Sequence, residues 1–205
     1  MFEKEIENLI KYGKISGEKN LTPGLSGNMS VRCGDNIVIT ATGTANGYLE
    51  KDDFSIIDFE GNLIQGKKPS SEKFLHIEFY KQRKDINAVL HFHCPYLTSF
   101  AISGMAMEQP ILPEIVYAYE TIPLGDYALP GSMQLVENTA KYFSNYSVVL
   151  MQNHGVIAGG KDIKEAFLKL ETCENYAKTL ILSKILGGAK ILSEEETKQI
   201  YSLRQ

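Results

Sequence analysis

The chain predicts an α/β domain of α+β character, with three layers around a central, mostly antiparallel sheet. Three observations carry this. Short β-like runs come in pairs across turn residues, two apolar runs, Ala88–Cys94 and Ser147–Met151, are long enough for buried strands, and helical periodicity brackets both.

Residues 2–20 place Phe2, Ile6, Leu9, Ile10 and Ile15 on one broad apolar face, the mark of a helix, and Pro23 and Gly24 end it. Met29–Arg32 and Asn36–Thr40 flank the turn pair Gly34 and Asp35, which predicts a hairpin. Phe54–Asp58 and Leu63–Ile64 flank Glu60, Gly61 and Asn62 and predict a second one. Pro69, Ser70 and Ser71 open a helix running to about Arg83, with Phe74, Leu75, Ile77 and Tyr80 apolar. A strand over Ala88–Cys94 follows. Four prolines between Pro110 and Pro130 break any period, so a strand or two in an irregular stretch is expected there. Ser147–Met151 and Val156–Ala158 read as strands, and Gly159 and Gly160 as a turn into a long helix from about Asp162 to Leu186. Gly187 and Gly188 stop that helix. Ser193 and Glu196 form a capping box that starts a last helix to about Leu203.

Composition narrows the function. With 205 residues the chain suits a single domain, 1–205, that buries a sizeable core. The net charge of −4, with no basic stripe, gives little means of binding nucleic acid. Cys33, Cys94 and Cys173 are odd in number and widely spaced, which argues against a disulfide framework and fits a reducing cytoplasm. The charged N-terminus has no apolar signal core. The apolar stretch Thr179–Leu186 is broken by Ser183 and Lys184 and falls short of the roughly 20 residues of a spanning helix, so no membrane role is expected.

His91 and His93 are the most informative residues. In a strand, side chains two apart share a face and stand roughly 6–7 Å apart, so the two imidazoles can share one ion. Cys94, one further on, should face the opposite side. Of the other two histidines, His154 follows the second apolar strand in Asn153-His154-Gly155, and His76 reads as a hydrogen-bonded helix residue. Three imidazoles with a fourth position open suit Zn²⁺ in a catalytic site. Ser70, Ser71 and Glu72 at a helix mouth serve two purposes: they stabilise the helix start, and they offer amides and hydroxyls for a phosphate with Glu72 as acid and base. Leu25–Asn28 and Thr40–Thr44 are two further loops of small residues able to approach an anion.

Taken in order, Ser-Gly-Asn-x-Ser, Thr-x-Thr-Gly, Ser-Ser-Glu, His-x-His and Asn-His-Gly resemble the class II, metal-dependent sugar-phosphate aldolases of the fuculose-phosphate aldolase and ribulose-phosphate epimerase group, nearly end to end. The resemblance implies a homotetramer in the cytoplasm with sites at subunit interfaces, each holding one Zn²⁺ per subunit on His91, His93 and His154. It implies Glu72 as catalytic acid and base, and Gly27, Asn28, Thr42, Gly43, Ser70 and Ser71 as phosphate contacts. Pro113–Tyr117 resembles the segment that brings a tyrosine into the neighbouring subunit's site, with Tyr117 protonating the aldehyde oxygen and Tyr119 close by. The implied substrate is a phosphorylated sugar, a ketose 1-phosphate similar to L-fuculose 1-phosphate. It is cleaved to dihydroxyacetone phosphate and a small aldehyde such as L-lactaldehyde through a zinc-stabilised enediolate. Methylthioribulose-phosphate dehydratases and pentulose-phosphate 4-epimerases share the pattern, the epimerases with Asp in place of Glu72. Adducin-head-like assembly domains share the fold without the metal triad.

Overall fold

The computed structural model describes residues 2–203. Its elements in chain order are α1 (Glu3–Glu18), β1 (Asn28–Cys33), β2 (Asn36–Thr40), β3 (Phe54–Ile57), β4 (Leu63–Gly66), α2 (Lys73–Gln82), β5 (Ala88–Phe92), α3 (Pro95–Ile102), α4 (Pro113–Tyr119), β6 (Leu124–Gly125), α5 (Met133–Ala140), β7 (Val148–Met151), β8 (Gly155–Gly160), α6 (Ile163–Ile185) and α7 (Glu194–Tyr201). The eight strands make one sheet in the order β4-β3-β2-β1-β5-β8-β7-β6. Every neighbouring pair is antiparallel except β6 with β7.

Alternation along the strands splits the core into two layers. On β5, Ala88, Leu90 and Phe92 join Leu9, Leu97, Phe167 and Leu170, so α1, α3 and α6 cover one face. Val89 joins Leu75, Phe79, Leu135 and Val136, so α2 and α5 cover the other. The expected three layers are present. Among the described residues, no helix is long and apolar enough to cross a membrane.

Several local expectations need correction. The strand holding His91 ends at Phe92, not Cys94, because Pro95 opens α3 at its first turn. Cys94 still points into the α1 and α6 side, where its thiol donates to the Leu21 carbonyl at 3.3 Å. The helix expected from Pro69–Ser71 begins at Lys73 with Glu72 as N-cap, and no side chain caps it. Gly159 and Gly160 do not turn the chain; they are the last residues of β8. A Cβ at Gly160 would collide with the Ala166 amide on α6, and one at Gly159 would stand 2.9 Å from the Phe79 ring on α2. The glycines let this strand lie close against helices on both sides. The turn falls to Lys161 and Asp162, whose carboxylate accepts from the Glu165 amide at 2.8 Å.

Three helices lie outside the expectations. In the irregular stretch, β6 answers to the strand expected there, while α4 is a helix that no periodicity among the prolines announces. The helix α5 starts at Ser132, whose hydroxyl accepts from the Leu135 amide at 3.2 Å. The helix α3 is capped from far away: Glu174 on α6 accepts from the Tyr96 amide at 2.9 Å and the Leu97 amide at 2.8 Å. The capping box at Ser193 forms as expected.

Candidate metal centre and active site

Sheet register gathers the site. In β1 and β5, Asn28 pairs with His91; in β5 and β8, His91 pairs with Ile157 and Phe92 with Val156. The start of β1, the end of β5 and the start of β8 therefore meet at one end of the sheet. His154 sits in the tight turn from β7 to β8, where Asn153 adopts a left-handed conformation (φ 55) that its short polar side chain tolerates. His93 lies just past β5.

The three imidazoles converge, each offering one nitrogen, with all three atoms within 4.8 Å of one another. The Nε2 atoms of His91 and His93 are 3.2 Å apart, close to the roughly 3.3 Å between ligands implied by tetrahedral zinc with Zn–N near 2.0–2.1 Å. His91 Nδ1 lies 3.0 Å from the Val156 carbonyl, which can only accept, so this nitrogen carries a proton and Nε2 is the one turned to the cluster.

Glu72 faces the same centre. Its Oε2 stands 3.2 Å from His91 Nε2 and its Oε1 3.3 Å from His154 Nε2. Burial alone would raise the carboxyl, but the charge and hydrogen bond of His91, then His154 and the Asn28 amide, hold it well below the usual carboxylate range. His91 moves the other way: burial opposes its charge, yet Glu72 raises it above the ordinary value. Burial first, and then neighbouring histidines, push His93 down to about 3 and His154 to about 4. Both are therefore neutral at pH 7, as ligation requires.

These donors fit a divalent ion. Two neutral imidazoles and a third held by its backbone partner converge with a buried carboxylate. Glu72 Oε1 has no hydrogen-bond partner among the described residues, and neither has His154 Nδ1. A cation between Oε1 and the histidines would satisfy the former.

Two glycines make room. A Cβ on Gly27 would run into the His91 carbonyl, and its φ of 77° is one that glycine adopts freely. A Cβ on Gly155 would stand 2.5 Å from the Phe92 carbonyl and 2.8 Å from the His93 ring. Gly155→Ala should therefore displace His93, costing about 1–3 kcal/mol of stability and about 10- to 100-fold in metal affinity. Urea unfolding and a competition titration with a metal indicator measure the two, and unchanged affinity would contradict this packing role.

The remaining anticipated residues fall as follows. Ser70 is buried and its hydroxyl accepts from the Glu72 amide at 3.3 Å. Ser71 is exposed, 3.4 Å from where a Gly131 side chain would begin. Thr42 and Gly43 lie beside them because Ala41 bridges to Pro69, and the Thr42 amide donates to the Lys68 carbonyl at 3.0 Å. The Asn28 side chain donates to Glu72 Oε2 at 2.9 Å and accepts from His76. Tyr117 lies on α4, 44% exposed, while Tyr119 is half-buried and its phenol is pushed up by burial. His76 is fully buried, with both ring nitrogens hydrogen-bonded.

Burial pushes His76 down to about 3. The unfolded chain takes up a proton near pH 6.5 that the folded one refuses, so this group's contribution is complete above pH 6.5 and is lost as pH falls toward 3. In chelator-treated protein, His76→Gln should flatten the fall in stability below pH 6.5 by up to about 1.4 kcal/mol per pH unit. Urea midpoints from pH 7 to 4 measure this, and parallel slopes would contradict it.

Comparison with known proteins agrees with this geometry. The class II aldolase and adducin N-terminal domain model matches residues 7–181. The chain is similar to the L-fuculose phosphate aldolase of Methanocaldococcus jannaschii, 39% identical over 178 residues, covering 86% of this chain and 96% of that one. It is also similar to the 3-oxo-tetronate 4-phosphate decarboxylase of Haemophilus influenzae, 32% identical over 201 residues, covering 95% and 94%. A solved L-fuculose 1-phosphate aldolase superposes with a TM-score of 0.90 at 32% identity, covering 98% of this chain and 96% of that one. The chain belongs to the class II aldolase and adducin N-terminal domain family, as an aldolase and hence a lyase.

Proposed function

We propose that this chain is a zinc-dependent aldolase that cleaves a ketose 1-phosphate of the L-fuculose 1-phosphate kind into dihydroxyacetone phosphate and a small aldehyde such as L-lactaldehyde. The observation that carries the reading is the convergence of His91, His93, His154 and the Glu72 carboxylate at one end of the sheet. One zinc ion per subunit, held by the three histidines, would supply Lewis-acid polarisation of substrate oxygens. Glu72 gives a proton to C3 of the dihydroxyacetone phosphate half during cleavage and removes it in the reverse direction. Held ionised and hydrogen-bonded by Asn28, Glu72 is set to take the C3 proton in the condensation direction; in cleavage it passes to C3 a proton that first leaves the C4 hydroxyl.

The substrate phosphate binds across Gly27 and Asn28, Thr42 and Gly43, and Ser70 and Ser71, which fixes the register of C3 against Glu72. Because the Asn28 side chain is engaged by Glu72 and His76, this residue meets the phosphate through its backbone. Tyr117 of the partner subunit protonates the aldehyde oxygen in the condensation direction, and in cleavage its phenolate recovers that proton from the C4 hydroxyl as the C3–C4 bond breaks. The exposure of Tyr117 on α4 supports a role outside its own chain, in a cytoplasmic homotetramer with shared sites.

The Haemophilus influenzae relative favours one second reading, decarboxylation of a 3-oxo acid phosphate, which also develops carbanion character beside a carbonyl. The test is a panel: L-fuculose 1-phosphate, a 5-deoxypentulose 1-phosphate and 3-oxo-tetronate 4-phosphate. Dihydroxyacetone phosphate formed from a ketose 1-phosphate is expected. Carbon dioxide from the acid, with no dihydroxyacetone phosphate from either ketose, would overturn the aldolase substrate in favour of the second reading.

A further inference from the structure

Five polar side chains buried between β1 and α2 form one hydrogen-bonded file that ends on the Glu72 carboxylate. Tyr80 Oη is 2.7 Å from Ser30 Oγ, and Ser30 Oγ is 2.7 Å from His76 Nδ1. His76 Nε2 meets Asn28 Oδ1, and Asn28 Nδ2 donates to Glu72 Oε2 at 2.9 Å. Ser30, His76 and Tyr80 are each fully buried, and Asn28 and Glu72 nearly so.

Donor and acceptor chemistry gives this file a single direction. The carboxylate can only accept, so the Asn28 amide must turn its NH₂ toward Glu72 and its carbonyl toward α2. That carbonyl can only accept, so His76 carries its proton on Nε2. The neutral ring then leaves Nδ1 as acceptor, Ser30 donates to it, and Tyr80 donates to Ser30. A flipped Asn28 would set a carbonyl oxygen against the carboxylate while its NH₂ met the Nε2 proton of His76. An asparagine amide is a poor proton carrier, so the file orients groups instead of conducting protons. Such a network is costly to bury unless its members are paired; every link from Tyr80 to Glu72 Oε2 is made, and the one atom of the file left without a hydrogen-bond partner among the described residues is Glu72 Oε1, which faces the histidine cluster.

We propose that His76 is a positioning residue: through Asn28 it fixes which end of the amide meets Glu72, and so holds the carboxylate aimed at the histidine cluster. This rests on Glu72 being the group that exchanges the C3 proton. His76 hydrogen-bonds Ser30 and Asn28 and none of the three metal-facing histidines, so it acts on the site through Asn28.

The test follows exchange of the C3 proton of dihydroxyacetone phosphate with deuterated water in the metal-loaded enzyme, which needs no choice of aldehyde. His76→Leu should lower the maximal exchange rate at least about tenfold with the KM for dihydroxyacetone phosphate and the metal content unchanged. His76→Gln can still donate to Asn28 and accept from Ser30, and should stay within about threefold of the parent. Ser30→Ala, a smaller change, covers the case in which His76→Leu does not fold; it should show the same split at lesser amplitude. Ring ¹⁵N shifts of His76 should report the Nε2–H tautomer at pH 7, and an Nδ1–H tautomer would overturn the file's direction.

Unchanged exchange in His76→Leu would overturn the proposal, as would equal losses in the Leu and Gln variants accompanied by loss of metal. Glu72→Gln separates the two claims. If Glu72→Gln exchanges normally, the role of Glu72 fails; if it is dead while His76→Leu is normal, only the positioning role fails.

Discussion

His93→Ala should lose bound metal and turnover together. The substitution removes one of three converging nitrogens, and the two left cannot enclose an ion with comparable affinity. Metal content should fall from about one per chain to near zero, and the rate of carbon–carbon cleavage by at least about a thousandfold, the scale of a lost Lewis acid. His93 is the right position for this experiment because it is partly exposed beyond the end of β5, whereas His91 is wholly buried against the Val156 carbonyl. Truncating His91 would damage the core as well as the site. Elemental analysis beside a rate assay decides the matter. Metal retained at parental stoichiometry would contradict the three-histidine assignment.

Glu72→Gln should have the opposite signature: metal retained, turnover lost by about 10²- to 10⁴-fold, the range for a removed acid–base group. The amide keeps the shape of the carboxyl and can still accept from Asn28, so the fold around α2 should survive. It cannot exchange a proton at C3. It also removes the charge that favours protonation of His91, which should leave that ring more available to metal. Near-parental rates with full metal content would reduce Glu72 to the residue that begins α2.

Much of this arrangement is local in origin and so legible from the chain. Alternation around Val89 and Val149, the hairpin turns at Gly34 and Gly61, and the caps at Asp162 and Ser193 depend on neighbours a few residues away. His91, His93 and His154 stand out because polar residues at the ends of apolar runs have few other reasons to be there. What was hidden depends on distant partners. No residue near Pro95 announces α3, since its cap is Glu174, 78 residues from Tyr96. Asn28 reads as a loop residue for an anion, and only register with β5 and the approach of α2 turn its side chain to Glu72 and His76. Gly155 carries no sign of the His93 ring that occupies its side-chain space. The helix α5 is a different case. Ser132 followed by Leu135, Val136 and Thr139 is a local signal, masked by the proline-rich stretch before it.

The central claim is that the histidine cluster and Glu72 form a metal-dependent carbon–carbon lyase site. It is tested most directly by measuring the zinc content of the purified protein together with dihydroxyacetone phosphate release from L-fuculose 1-phosphate, before and after chelation and after zinc is restored. The account predicts about one zinc per chain, release that chelation abolishes, and recovery when zinc returns. Release that persists in fully chelated, zinc-free protein would contradict it.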